Sequence, residues 1–558
     1  MSDTKKRKID EKRETNDRSM YDSGATSSSK RGKKASKPGG FKPNNPFIRN
    51  QVTNSDNLQA LIFKRYEGCS CGDENSSNTI EANSLEMKRI LDKTISKHEP
   101  SIGDVYFVGN NESAQLGMSK EEGAPSSTFL LSGDLVGSEI VHVATGSQSN
   151  FVVSRDGKVY DWGNSDMGAL GRRTDMEVDP NVERKPTRIT GFNPSKSAIV
   201  RVTASNEDSA ILQVAAGATH GIALSESGAV YGWGACVIDN KPWRPMPPKD
   251  FPDNDFTKTE LYKGKAPKGF REEARHLDQM PQKVHAISAG QSMSAAILAD
   301  GTLVTWGLDT CGELGRGITK DTRHIFMHAD TNEEKDERTN IVMQQFMIPK
   351  PVMYSPMLSK HTVLDVSCGQ SHMLVVVRPK GVYPTQVYGA GLNQYGQLGR
   401  GNTENCDVLT LLPDSKDKYI VEVAAGQHHS LFLDISGSYI YTCGRSDSGQ
   451  LGISDQAPPA GDMKTSLQMV AFDSDEDLEF KSIAAGEDHS LAVTKNGKLY
   501  SWGFGDEGQL GHSKGGMYQP RPTLVTKFGK GEQVAVMEAV GGAQHTMILC
   551  QRESSRKN

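Results

Sequence analysis

The chain has 558 residues, of which 35% are hydrophobic, 24% charged and 56 glycine, a composition that suits a soluble, turn-rich globular protein. No run approaches the ~18 consecutive apolar residues of a membrane-spanning helix, and the charged N-terminus has no apolar core of a secretory signal. The net charge of −5 is uneven: residues 1–50 hold 14 Lys/Arg against 6 Asp/Glu, a local +8, which leaves −13 on the rest.

Residues 1–50 are rich in Lys, Arg, Ser, Gly and Asn and poor in large apolar side chains. Such a segment cannot bury enough surface to offset its ordering entropy, so it reads as a disordered basic arm. Two clusters stand out in it: Lys5, Lys6, Arg7 and Lys8, then Lys30, Arg31, Lys33 and Lys34. They read as a nuclear-import signal and as contacts to the phosphates of DNA or a nucleosome. Residues 51–100 read as a linker, with a short helix expected over 85–95 from the spacing of "LEMKRILDKTI".

From residue 101 to 551 the chain repeats itself, leaving 552–558 as a tail. One recurring phrase is a strand that ends in glycine, such as "VYDWG", "LVTWG" or "LYSWG", and runs into a loop such as "GNSDMGALG", "GLNQYGQLG", "GRSDSGQLG" or "GFGDEGQLG". The other is a strand, a glycine turn and a second strand, as in "VAAGATHGIAL", "VAAGQHHSLFL" and "IAAGEDHSLAV". There are seven copies of each, at intervals of about 53 to 84 residues, which suits four short strands per unit. "SRDGK", "SESGA" and "TKNGK" supply hairpin signals between them. The array opens with half a unit, "VYFVG", and ends with the other half, "GGAQHTMIL". Pairing the two closes a ring and leaves no lone edge strand. The predicted fold is all-β: a seven-bladed β-propeller behind a disordered basic N-terminal arm.

A repeat protein carries its own control: a residue that recurs at one slot is scaffold, and one that varies at a surface slot is free to act. The third residue after the turn glycine is His in five units (His220, His372, His429, His489 and His545), which reads as a structural histidine bonding neighbouring backbone. Trp162, Trp233, Trp306 and Trp502 share one strand slot and read as core. The loop leucines read as plugs between blades. The first two residues after the turn glycine vary, from Ala218/Thr219 to Gln427/His428 and Glu487/Asp488, and gather on one face of a closed ring. Two long interruptions, 235–285 with Trp243 and the highly charged 317–350, read as a projecting contact element and a surface insertion.

Eight cysteines without a CxxC pair read as reduced thiols of a nuclear or cytosolic protein. There is no P-loop, no GxSxG and no metal-spaced cluster, so no covalent chemistry, cofactor or metal is expected.

The paired "VYxWG…GQLG" and "AAGxxHSLAL" phrases resemble the repeat of the regulator of chromosome condensation family over about residues 101–551. One propeller behind a short basic arm, with "WGNSDMGALGR", "GLNQYGQLG" and "AGQHH", is similar to the family's chromatin-bound guanine nucleotide exchange factors for the small GTPase Ran. The resemblance implies a nuclear, chromatin-associated exchange factor with Ran as partner and no membrane contact. It also implies GTPase-binding roles for His428, His545 and Glu112, with Asp239 and Asn240 in a wedge-like loop. Two positions depart from it: Ala218 and Ser292 stand where the family has aspartates. The competing expectation is a non-catalytic propeller scaffold for a chromatin or ubiquitin-pathway partner, since many proteins use this repeat for unrelated tasks.

Overall fold

A computed structural model describes residues 102–552 apart from 119–124, 173, 175–181, 191, 193–209, 236–270, 278–279, 281, 318–347, 353–360, 380–384, 455–458, 475–476, 513–516 and 530. The basic arm, the helix expected over 85–95, Trp243, Asp239 and Asn240 lie outside the described residues.

Seven antiparallel four-stranded sheets form the fold. Blade 1 comprises Ile140–Thr145, Ser149–Ser154, Val159–Gly163 and Thr187–Arg188; blade 2 Ile211–Ala216, His220–Ser225, Val230–Gly234 and Arg271–His276. Blade 3 comprises Val284–Ala289, Met293–Leu298, Leu303–Gly307 and Lys350–Pro351; blade 4 His361–Cys368, His372–Pro379, Gln386–Gly391 and Cys406–Leu411. Blade 5 comprises Ile420–Ala425, His429–Asp434, Ile440–Arg445 and Met463–Met469; blade 6 Phe480–Ala485, His489–Thr494, Leu499–Phe504 and Tyr518–Leu524.

Blade 7 is assembled from both ends of the array. Its inner strands are Val534–Gly541 and His545–Arg552, and its outer strands are Asp104–Gly109 and Ser126–Leu131. The junction is a full antiparallel ladder from Asp104↔Cys550 to Gly109↔His545. The two half-units therefore complete each other, and the closing edges pair with one another instead of standing open.

At the axis, the turn glycine of each blade packs against the next. A Cβ placed on Gly146 would lie 2.1 Å from the Gly217 carbonyl oxygen, and one on Gly217 would lie 2.5 Å from that of Gly290. The contact passes on through Gly369, Gly426, Gly486 and Gly542, and Gly542 returns it to the Gly146 oxygen at 2.9 Å. No side chain fits at these seven positions. Backbone hydrogen bonds run through the same joints. Gln291 N–H donates to Gly369 O at 3.1 Å, Gln370 N–H to Gly426 O at 3.2 Å, Glu487 N–H to Gly542 O at 3.1 Å and Ala543 N–H to Ser147 O at 3.2 Å.

The repeated histidines build a second tier of joints. All five are fully buried. The expectation that they bond neighbouring backbone holds at His220, which bonds the Met293 backbone, and is otherwise corrected: each Nε2 meets a side chain of the next blade. The pairs are His220–Ser294 at 2.8 Å, His372–Ser430 at 3.0 Å, His429–Ser490 at 2.9 Å, His489–Thr546 at 2.9 Å and His545–Asn150 at 2.8 Å. Several receiving groups then donate onward to the loop carbonyl of the blade the histidine belongs to: Ser430 to Gln397, Ser490 to Gln450 and Thr546 to Gln509, at 2.7 to 2.8 Å. Where blade 3 has Met293 in the histidine slot, blade 4 has Met373 in the receiving slot, and both enter one apolar cluster. Histidine and hydroxyl thus change together, because a buried imidazole N–H without an acceptor costs more than the pair contributes.

The loop leucines fill the spaces between blades. Leu116, Leu314 and Leu398 have no exposed surface and join the apolar clusters of blades 1, 4 and 5. The tryptophans lock onto the same loops: Trp162 Nε1 donates to Gln115 O at 3.0 Å, Trp233 to Ala169 O at 2.9 Å and Trp502 to Gln450 O at 2.9 Å. Trp306 Nε1 has no such partner among the described residues, and the sequence of the preceding blade has no GxLG phrase after Gly234.

Two outcomes test this joinery. Gly426→Ala puts a Cβ within 2.6 Å of Gly486 O and within 2.4 Å of the His429 ring, and should destabilise the ring by about 1–3 kcal/mol. Gly133→Ala, with nothing within 4 Å of the added atom, should stay within about 0.5 kcal/mol of the parent in the same melt. Second, burial holds His220 and His489 down to about 4 and His372, His429 and His545 to about 3. The unfolded chain takes up these protons near 6.5, so their stabilisation is complete above that pH and is lost as pH falls through the folded values. His489→Gln should flatten urea-unfolding stability between pH 6.5 and 4 by up to about 1.4 kcal/mol per pH unit relative to the parent.

Candidate functional site

Antiparallel order puts two sets of connections at one end of the ring. The turn between the first and second strands and the loop between the third and fourth both emerge there. The residues flanking 236–270 and 318–347 join third and fourth strands, so they stand at this end too. The opening at the axis is a cavity of about 110 Å³, bounded by the turn glycines and by Ser147, Gln291, Gln370, Gln427 and Glu487.

The scaffold of each GxLG loop is fixed. In blade 5, Gly444 (φ 111°) and Gly452 (φ 68°) take left-handed backbone, which a residue with a Cβ resists. The second, fourth and fifth loop positions are not fixed. The second is Asn110, Asn164, Leu308, Leu392, Arg445 or Phe504, and the fifth includes Tyr395 and Glu507. These positions join the variable turn residues on the same face. Sequence reasoning singled out the turn residues and passed over the loop positions; the same comparison of repeat against repeat finds them.

One sector of this face, over blades 4 to 6, holds a connected group. The rings of Tyr395 and His428 stack with centroids 4.6 Å apart and planes tilted by 34°. The Arg445 guanidinium lies over the Tyr395 ring, 5.4 Å from its centroid, and pairs with Asp447 at 2.7 Å. Gln450 Nε2 reaches Asp488 Oδ1 at 3.4 Å. Burial lowers the His428 pKa, and the Arg445 charge adds to the effect while Asp447 opposes it. Burial raises that of Asp488, with Arg445 opposing and Asp447 adding. Glu487 is raised by burial against the hydrogen bond it accepts from Ser147 Oγ at 3.0 Å, a contact that reaches across blade 7. A carboxylate whose charge is not fully compensated is a ready partner for an incoming cation.

The other sequence-selected residues fall as follows. His428 is half-buried on this face. Glu112 is exposed on it, with its N–H bonded to Asn110 Oδ1, in the blade-7 loop. His545 has no exposed surface; burial holds it down to about 3 and Asn150 occupies its Nε2, so it is a joint residue and offers a partner no direct contact. Ala218 and Ser292 are half-buried beside the axis, as their turn positions require. Among the described residues no group of three or more His, Cys, Asp or Glu side chains is placed to hold a metal.

A family model of the RCC1-like domain matches residues 104–548, the whole ring from its first closing strand to its last. The chain belongs to the RCC1-like domain family. It is 26% identical over 457 residues to the Homo sapiens protein Regulator of chromosome condensation, covering 81% of this chain and 91% of that one. It is 25% identical over 447 residues to the Saccharomyces cerevisiae guanine nucleotide exchange factor SRM1, covering 73% and 79%. Among solved structures, Prp20p from Saccharomyces cerevisiae superimposes with a TM-score of 0.63 at 21% identity, covering 83% of this chain and 95% of that one. The RCC1-like fold is therefore shared along nearly the full ring.

The Arg445–Asp447 pair gives a measurable consequence. Arg445→Met removes the cation that holds Asp488 down, so the Asp488 carboxyl should titrate higher than in the parent when followed by carbon NMR. An unmoved titration contradicts the linkage between blades 5 and 6.

Proposed function

We propose that this RCC1-like chain is a guanine nucleotide exchange factor for a Ran-type small GTPase, held on nuclear chromatin by its basic N-terminal arm. The observation that carries the reading is similarity to a named exchange factor, SRM1, along most of both chains. Two further features support it. The polar, partly acidic loop face is the one part of the ring where the repeat is broken by His428, Tyr395, Arg445 and Asp488. Prp20p, a fold neighbour, is described as binding Gsp1p and histones.

Exchange on this reading breaks no covalent bond. A GTPase that holds its nucleotide with a picomolar constant does so with about 16 kcal/mol. A factor that binds the empty GTPase better than the loaded one weakens nucleotide binding by the same factor, because coupling is reciprocal. The rigid ring supplies the fixed template and His428 and Glu112 supply rim contacts; Asp239 and Asn240, outside the described residues, join them on the family resemblance alone. Ala218 and Ser292 carry no charge, so the acidic contribution shifts to Glu487 and Asp488 of blade 6 and Asp447 of blade 5. The arm, with Lys5 to Lys8 and Lys30 to Lys34, supplies cations that a body of charge −13 lacks.

The direct test follows release of fluorescent GDP from Ran in excess GTP. Acceleration at micromolar chain, reduced about tenfold or more by His428→Ala, supports the reading; no acceleration retires it in favour of a non-catalytic scaffold. Deleting residues 1–50 should abolish nucleosome retention, with the parent's retention falling steeply with salt, and leave exchange intact. Retention that ignores salt contradicts the role of the arm.

A further inference from the structure

We infer that Arg445 is a positioning residue for His428: clamped by Asp447, its guanidinium backs Tyr395, and Tyr395 in turn fixes the orientation of the His428 ring on the loop face. The inference rests on the proposed exchange reading for its functional consequence, and on the geometry alone for its structural one.

The three side chains come from three different connections. Tyr395 is on the blade-4 loop, His428 on the blade-5 turn and Arg445 on the blade-5 loop. The repeat sets the backbone positions, as in Asn164 N–H to Gln148 O and Phe504 N–H to Asp488 O, but not the side chains: Ser113, Met167, Cys311, Ser448 and Glu507 replace Tyr395, and Asn110, Asn164, Leu308, Leu392 and Phe504 replace Arg445. The contact is therefore particular to this sector.

His428 differs from the five joint histidines in how it is held. Each of those has its Nε2 tied to a side chain of the next blade. His428 has no such side-chain hydrogen bond among the described residues; its hydrogen-bond contact is the backbone of Gln427, its neighbour in the chain. Its ring direction is set by the stack on Tyr395. Tyr395 is itself pressed by Arg445 through a cation–π contact. Arg445 has little freedom: its side chain is paired with Asp447, its N–H donates to His428 O at 2.9 Å, and Asp488 of blade 6 adds a second negative charge. The backbone bond ties the two residues of the same blade, and the side-chain route ties them again through the neighbouring blade.

The charged and titratable groups that bear on His428 are Arg445 and Asp447 from its own blade's loop, His372 of blade 4, and His429 beside it in the chain. Of these, the Arg445 cation favours a neutral imidazole and Asp447 opposes it. The bracket thus serves orientation and protonation together, and only a planar cation serves both. Lysine keeps the charge but cannot lie flat against the phenol ring.

The test uses the full-length chain and the variants Arg445→Met, Arg445→Lys, Tyr395→Leu, Tyr395→Phe and the Arg445→Met/Tyr395→Leu pair, with unchanged far-UV circular dichroism as the folding check. The first readout needs no GTPase: ring-carbon NMR of His428. Arg445→Met should move its titration upward towards 6.5 and average its ring-current shift from Tyr395; Arg445→Lys should restore the titration but not the ring-current shift. An unmoved titration and shift in Arg445→Met overturn the inference, whatever the exchange assay gives. The second readout is GDP release. Arg445→Met should lower kcat about tenfold with KM unchanged, Tyr395→Phe, which keeps the aromatic face, should lose less than Tyr395→Leu, and the double variant should be no slower than Tyr395→Leu alone. Additive losses in the double variant, or a shifted His428 with a parental kcat, overturn the positioning role. If the parent chain accelerates no release, the exchange reading fails and the NMR readout alone decides the bracket.

Discussion

Seven glycines in contact around an axis set every other dimension of this protein. At each turn the next blade's carbonyl stands where a Cβ would be, from Gly146 against Gly217 round to Gly542 against Gly146. The inner strands are held as close as backbone allows, and backbone hydrogen bonds from the residue after the glycine cross the joints. A ring this tight has no slack for an unpaired end. The final ladder between Asp104–Gly109 and His545–Arg552 is the condition for the other six joints to meet.

Tight inner packing makes room outside it. With the glycines at the axis and the histidine–hydroxyl pairs three residues further along, the joint uses the backbone but not the side chains of the two residues between them. The same is true of the second, fourth and fifth positions of the GxLG loop, whose glycines and leucine do the packing. Antiparallel order delivers both sets of free positions to one face. Stability and function are thus separated by slot and not by region: His429 is a joint, while His428, its neighbour in the chain, stands on the rim. A rigid ring holding unlike side chains at fixed separations suits an activity that works by shape and charge, without bond chemistry.

The fold was legible because the repeat states it seven times. The turn glycines mark a joint made in every blade, the loop leucines and the four tryptophans one made in most of them, and the half-units at the two ends announce how the ring shuts. The joint histidines were recognised as structural, yet their partner, His220 apart, was misread as backbone. The receiving Ser294, Ser430, Ser490 and Thr546 sit one residue after the histidine slot in their own blades, so only the closed ring reveals which histidine each serves. The site was less legible. His428 stands out as a histidine outside the repeated slot, but Tyr395 and Arg445 lie 33 and 17 residues from it in sequence, and their meeting depends on the separation of adjacent blades. His545 differs again: the resemblance implies a contact role for it, and the structure buries it against Asn150 in a joint.

Closure itself is the claim most directly open to measurement, through hydrogen exchange of the backbone amides of Asp104–Gly109 in the intact chain. If this strand completes blade 7, its amides exchange only when the whole ring unfolds, at the rate of the His429–Asp434 amides in the middle of blade 5. Exchange within seconds there, with blade 5 still protected, means that the strand frays as a free end and that the ring is not held shut by it.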